Sequence, residues 1–435
     1  MSAPPLGWPG IARLGLVQAS IGMIVMLATA VLNRVMVVEY ALAASIPAGL
    51  VAWHYAVQLA RPLWGHGSDR TQRRTPWIVG GMGVLAVGAL LAVDAAAMTV
   101  AQPLAATLLA IIAFTMIGAG VGAAGTSLLA LLAARVVPER RAAAAAVAWI
   151  MMVGGIAGAA GIAGALLDPF SAQRLALVAG GIALLAFLLT LAAIAGVERG
   201  AQVPPVPAAG GPGFGEALAE TLADPVARRF TLFVFVSMLA YSMQDLILEP
   251  FAGLVFAMSP GQSTQLSGMQ HGGVLAGMIA AGIGGSAFAG RTPAELRCWI
   301  VGGCLGSGVA LLGLVLAAQA GPGWPIAANV VALGFMNGLF AVAAIGAMMG
   351  LAGAGRRAGE GMRMGVWGAA QAIAFGLGGL TGAVGVDIAR GLMAATEPAF
   401  ALIFAFEAGL FLLAAMLALG VTSSRAPKGL AHARA

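Results

Sequence analysis

The chain reads as an all-α integral membrane protein whose twelve transmembrane helices fall into two six-helix halves. Three observations predict this. Sixty per cent of the 435 residues are hydrophobic, 9% are charged and the mean hydropathy is +0.97, a balance that no water-soluble core requires. Twelve stretches each reach the roughly 20 apolar residues that a bilayer crossing needs. They do not alternate polar and apolar residues as barrel strands do, so closed helices are the way to satisfy their backbones in lipid.

In chain order the stretches run 14–38, 42–64, 76–98, 104–134, 144–166, 174–196, 230–256, 264–289, 297–319, 325–352, 364–389 and 398–420. The fourth and tenth exceed one crossing, which leaves their ends the least defined. Basic residues fix the orientation. Nineteen of the 22 Lys and Arg fall on one side, in the N-terminus, the even-to-odd loops, the central loop and the tail, while Arg34, Arg174 and Arg390 do not. The positive-inside rule then places both termini in the cytoplasm. The formal charge of +6 is thus a topology signal, and no nucleic-acid partner is expected. The first apolar run is full length with no small-residue cleavage site behind it, so no cleavable leader is expected. Cys298 and Cys304 share span 9 but point to different faces, which argues against a disulfide or a metal pair.

Internal repetition supports two halves. Residues 197–229 carry the Pro/Gly-rich stretch VPPVPAAGGPG and read as a cytoplasmic linker between an N-terminal half, 1–196, and a C-terminal half, 230–424, with a cytoplasmic tail at 425–435. Trp149 opens a Gly-rich span ending at Asp168, and Trp367 opens another ending at Asp387. NRVMVVE in span 1 aligns with MQDLILE in span 7, setting Glu39 against Glu249 and Arg34 against Gln244. Glycines in span 5 (Gly154, Gly158, Gly161, Gly164), span 8 (Gly268, Gly272, Gly273, Gly277) and span 11 (Gly378, Gly382, Gly385) predict close packing of these spans between the halves. Trp53, Trp149, Trp299 and Trp367 lie within or near span ends, where interfacial anchoring is the default role.

The loop after span 2, GHGSDRTQRR, resembles the major facilitator signature G-x-x-x-D-R-x-G-R-R through Gly65, Asp69, Arg70, Arg73 and Arg74, with Gln72 in place of the second glycine. The resemblance implies a pseudo-twofold 6+6 major facilitator architecture. Physically, Asp69 can accept from an Arg or cap a neighbouring helix N-terminus while the arginines hold the loop at the anionic membrane surface.

Three further segments narrow the resemblance. MQDLILEPFAG at 243–253, RMGVWGAAQAIAFGLGG at 363–379 and RVMVVE at 34–39 are similar to the PucC family, major-facilitator-fold proteins of phototrophic bacteria associated with bacteriochlorophyll and light-harvesting assembly. The chain's length resembles the shorter branch, encoded among bacteriochlorophyll genes. The resemblance implies a protein that binds or delivers bacteriochlorophyll, or a late precursor, during assembly of pigment–protein complexes. Its implied location is the bacterial inner membrane, cytoplasmic or intracytoplasmic and photosynthetic. Its implied partners are membrane lipid, light-harvesting or reaction-centre apoproteins and pigment-synthesis enzymes.

A chlorin needs an apolar pocket and one axial ligand for magnesium, often a neutral imidazole. His54, halfway along span 2, and His271, in the outer third of span 8, are the candidates, each equally able to be a packing histidine. His66 and His432 lie in a loop and the tail. Gln244 and Gln371 are candidate hydrogen-bonding groups for a pigment carbonyl or another helix. No metal cluster and no catalytic cofactor are expected.

Arg34, Glu39, Asp245 and Glu249 form an intramembrane charge cluster. A carboxylate at bilayer depth costs roughly 2.5–3.5 kcal/mol on insertion scales, and Asp245 and Glu249, four apart, share a helix face. Arg34 is expected to pair with Asp245 or Glu249, either as a brace between the halves or as the coupling set of a proton-coupled transporter of a small solute, the alternative function. Glu407 in span 12 lacks an evident partner. The sequence argues against an enzyme: a pigment prenyltransferase needs paired aspartate-rich segments for Mg²⁺ and diphosphate, and here one D-x-x-x-E lies on the wrong side of the membrane.

Overall fold

The computed structural model describes residues 6–61, 64, 73–137, 140–198, 223–284, 296–352, 360–393 and 395–421. These residues form twelve helices: α1 Trp8–Glu39, α2 Ser45–Gln58, α3 Thr75–Met98, α4 Pro103–Arg135, α5 Arg141–Leu166, α6 Ala172–Ile194, α7 Pro225–Val255, α8 Pro260–Gly284, α9 Arg297–Ala320, α10 Ile326–Ala352, α11 Glu360–Met393 and α12 Thr396–Val421. Of the signature loop, Gly65, Asp69 and Arg70 lie outside the described residues, as do 199–222 of the expected linker, the tail at 425–435, His66 and His432.

Local chemistry starts these helices. Proline occupies the first turn of α1, α3, α4 and α7, where its missing N–H costs nothing. Ser171 caps α6 by accepting from the Arg174 N–H, and Asp224 caps α7 by accepting from the Val226 N–H. Helix α8 opens with a reciprocal box: Ser259 N–H donates to Gln262 Oε1 and Gln262 N–H donates to Ser259 Oγ.

Among the described residues, ten helices are long and apolar enough to cross a membrane. The other two are α2, which has 14 residues, and α8, whose first half carries Ser263, Thr264, Ser267 and Gln270. Those four side chains are buried within the protein, so α8 hides its polarity from lipid.

Packing repeats with an offset of six helices. Helix α1 packs on α5 and α6 as α7 packs on α11 and α12; α2 and α3 pack on α4 as α8 and α9 pack on α10. The two groups meet chiefly where α5 lies on α8 and α2 on α11. Separate apolar cores fill each group, and a smaller cluster of Val153, Val274, Met278 and Leu339 bridges α5, α8 and α10.

The glycine rows serve different contacts, a departure from the expectation that all pack between the halves. Gly164 and Gly268 do bring α5 onto α8: a Cβ on Gly164 would stand 2.8 Å from Gly261 O. Gly273 and Gly277 instead seat α8 against the α10 backbone at Val331 and Phe335, and Gly378 and Gly382 seat α11 against α7 at Leu239 and Met243. Trp367 is a second departure. It is fully buried against Phe230 and donates to Thr231 Oγ1 at 3.1 Å, because its position on α11 faces α7 and not the lipid headgroups. Trp53, by contrast, is exposed and donates to Thr115.

Candidate functional site

Three helix N-termini are closed by carboxylates distant in sequence. Asp387 of α11 accepts from the N–H groups of Ala44 (3.0 Å) and Ser45 (2.7 Å) at the start of α2. Asp168, just beyond α5, accepts from Ser259 Oγ (2.6 Å) and the Gly261 N–H (3.2 Å) at the start of α8. Glu198, beyond α6, accepts from the N–H groups of Arg74 and Thr75, both at 2.8 Å, at the start of α3. Each carboxylate meets the positive end of a helix and its unpaired N–H groups. Asp168 and Asp387 act between the two groups of helices, so they latch α5 to α8 and α11 to α2 at one end of the molecule.

Arg34 belongs to the same end. Its Nη1 pairs with Glu39, its Nε donates to Ser263 Oγ at 3.0 Å and its Nη2 donates to Met258 O at 2.7 Å. The expected ion pair with Asp245 or Glu249 is therefore replaced by one within α1. The reason lies in the backbone: α1 is π-helical over Leu27–Val31 and again over Val35–Glu39, and the wider turn sets Glu39 beneath a guanidinium five residues earlier. Gly253 on α7 leaves the room through which Arg34 passes. Glu249 lies within the electrostatic reach of Arg34, but its hydrogen-bonding neighbours are Ser267 and Thr264 of α8, the latter donating from Oγ1 at 3.4 Å. Beyond the end of α1, burial and the neighbouring Glu39 charge raise the Tyr40 phenol above its ordinary range.

The π-turns have a counterpart on α7. Pro250 lies inside that helix and has no N–H for the Leu246 carbonyl one turn back. Asn33 Nδ2 of α1 donates to that carbonyl at 2.7 Å.

Between the groups runs an aromatic ladder that no sequence motif announces. His54 lies 4.1 Å from Tyr55, Tyr55 stacks on Phe375 at 5.8 Å, and Phe375 meets Tyr241 edge-on at 5.8 Å. Asp245 lies within electrostatic range of both tyrosines and of Glu407. Gln371, on the same helix as Phe375, points its amide at Met238 Sδ, 3.9 Å away. Gln244 and Glu407 are fully buried, and among the described residues neither amide nor carboxyl finds a partner.

The two candidate histidines differ in access. In each, Nδ1 faces a carbonyl of its own helix, Val51 O for His54 and Ser267 O at 2.9 Å for His271. A carbonyl only accepts, so the neutral ring carries its proton on Nδ1 and leaves the Nε2 lone pair for a ligand. His54 is 1% exposed on a helix held tightly to α4, where a Cβ on Gly118 would collide with the His54 backbone. His271 is half-buried, and its neighbour Gly272 has open space above it. Among the described residues, no three His, Cys, Asp or Glu side chains gather as a metal site.

The family described as "PUCC protein" matches residues 31–426. The chain is 52% identical to the "Bacteriochlorophyll synthase 44.5 kDa chain" of Rhodobacter capsulatus, over 97% of each chain. It is 31% identical to "Protein PucC" of the same organism, over 85% of this chain and 81% of the relative. Among solved structures, a peptide transporter POT in complex with sulfate superposes with a TM-score of 0.68 at 14% identity, covering 97% of this chain and 96% of that one. A bacterial homologue of the lysosomal transporter Spinster, inward-facing and unoccupied, gives 0.63 at 16% identity over 96% of each. The fold is that of these transporters.

Proposed function

The chain belongs to the PucC family, and from that premise we propose that it is an assembly factor for photosynthetic pigment–protein complexes that binds or delivers bacteriochlorophyll or a late precursor. The observation that carries this reading is the 52% identity, end to end, with a chain whose name ties it to bacteriochlorophyll. That name contains the word synthase. Here the match to the PucC family and the transporter fold support a non-catalytic partner of pigment synthesis.

In this reading all twelve helices cross the inner membrane as 6+6, with halves 1–196 and 230–424 and both termini cytoplasmic. The six-helix offset in packing and the charge asymmetry support it. The ligand face combines the Tyr55–Phe375–Tyr241 ladder with Gln371, and the half-buried His271 is the axial ligand favoured over the enclosed His54. Aromatic faces suit a flat macrocycle, and a single imidazole lone pair suits its magnesium. Light-harvesting or reaction-centre apoproteins and pigment-synthesis enzymes are the partners.

A second reading, a proton-coupled transporter of a small solute, draws on the buried Asp245 and Glu249. It is weakened by Arg34, whose donors go to Glu39, Ser263 and Met258 and so do not complete a coupling set with α7.

The test is the absorption spectrum of the protein purified in mild detergent from a phototrophic host. A stoichiometric near-infrared band that survives size exclusion and weakens in His271→Ala supports the carrier. Colourless, well-folded protein overturns stable pigment binding.

A further inference from the structure

Away from the ladder, and beside the Asp168 latch, a cavity lies on the outer face of the bundle. It is a groove of about 590 Å³ between α5 and α6. Its walls are Ile162 and Leu166 on α5 and Leu177 and Leu185 on α6, each between 43% and 70% exposed. Gly181 forms part of the lining, and a Cβ there would meet nothing within 4 Å, so the missing side chain contributes depth. The same lining includes two charged groups, Asp168 and Arg174.

Neither charge is fully used. Arg174 donates through Nη1 to the Asp168 carbonyl, which leaves most of its five donors. The Asp168 carboxylate accepts from Ser259 Oγ and the Gly261 N–H, which leaves about half of its roughly four lone-pair sites. An apolar slot in the membrane therefore opens beside an adjacent base and acid.

We propose that this groove is a site for phosphatidylethanolamine, with an acyl chain along the apolar walls, the phosphodiester on Arg174 and the primary ammonium on Asp168. The mouth selects the headgroup by charge. An anionic lipid such as phosphatidylglycerol would satisfy Arg174 but bring only neutral hydroxyl donors, and no cation, to the Asp168 carboxylate. Phosphatidylcholine carries both charges, but its quaternary nitrogen has no N–H to donate. The ethanolamine ammonium has three, and both contacts are then charge-assisted hydrogen bonds. Because Asp168 also caps α8, an occupied groove bears directly on the latch between α5 and α8.

The experiment is native mass spectrometry of the full chain released from detergent, titrated with the three lipids carrying identical acyl chains. The expected result is one retained phosphatidylethanolamine, with occupancy about tenfold above the other two, the scale of one lost charge-assisted contact. Arg174→Gln should bring it down to their level. Ala165→Trp, which fills the groove from an exposed position and keeps both charged residues in the chain, should do the same and stands in if the first variant misfolds. Equal retention of all three lipids, retention unchanged by either variant, or a second copy of the chain in place of lipid would overturn the proposal.

Discussion

Asp168 and Asp387 make the same kind of contact in opposite directions. Asp168 ends a helix of the first group and caps α8 of the second, while Asp387 belongs to the second group and caps α2 of the first. The two groups are thus joined by two carboxylate-to-helix contacts at one end. Removing a capping side chain costs about 0.5–2 kcal/mol. Asp387→Ala should lower the unfolding free energy in detergent by that order, with Asp387→Asn costing less because it keeps an acceptor and loses only the charge–dipole part. Maleimide labelling of Ala44→Cys in a background without native cysteines should speed up in Asp387→Ala. Unchanged labelling would show that the latch does not hold that end closed.

The bond from Asn33 to Leu246 O allows a sharper test, because its cause is a residue elsewhere. Asn33→Ala leaves a buried carbonyl unpaired, a cost of about 1–3 kcal/mol. Pro250→Ala supplies an N–H that can serve the same carbonyl within α7. In that background Asn33→Ala should cost markedly less, giving a non-additive double-mutant cycle. Additive costs would mean that Pro250 is not what sets the carbonyl free.

Arg34 should tolerate no substitute. Its planar fork reaches Glu39, Ser263 and Met258 O together, a geometry that a lysine point charge cannot reproduce. Arg34→Lys is expected to lose about 1.5–3 kcal/mol, the value of a hydrogen bond to a charged group. Glu39→Gln should cost less, since the Glu39 side chain is 31% exposed and water can replace part of the interaction. Chemical unfolding of the two variants side by side checks the order.

The helices were legible because hydropathy and length act locally: ten of twelve expected spans meet both criteria in the described residues. The two exceptions have physical causes. Helix α2, with 14 residues, falls below the length criterion, and α8 hides Ser263, Thr264, Ser267 and Gln270 against protein, which no hydropathy window registers. The depth of Arg34 was readable, but its partner was not, because two π-turns in α1 reset the register. Asp168 and Asp387 were visible as matching ends of two Gly-rich spans. Their capping role depends on contacts between helices far apart in the chain. Tyr55, Tyr241 and Phe375 gave no signal at all, since single aromatics in apolar helices look like core until their neighbours are known. Trp367 erred the other way, resembling an interfacial anchor while filling the core beside Phe230.

Gly164 offers the test of how closely α5 and α8 must approach. A Cβ at that position would stand 2.8 Å from both the Gln265 nitrogen and the Gly261 oxygen, and backbone cannot yield as a flexible side chain can. Overpacking of this kind costs about 1–3 kcal/mol. Here the helices must separate, which would carry Asp168 away from Ser259 and Gly261. Gly164→Val should therefore destabilise the protein and also erase most of the further effect of Asp168→Ala, because the cap is already lost. Gly158→Ala provides the control, since a Cβ there meets nothing within 4 Å and alanine favours the helix by about 1 kcal/mol. Unfolding midpoints of these three single variants and the Gly164→Val/Asp168→Ala pair decide it. Independent costs for Gly164 and Asp168 would mean that the cap survives when the helices part.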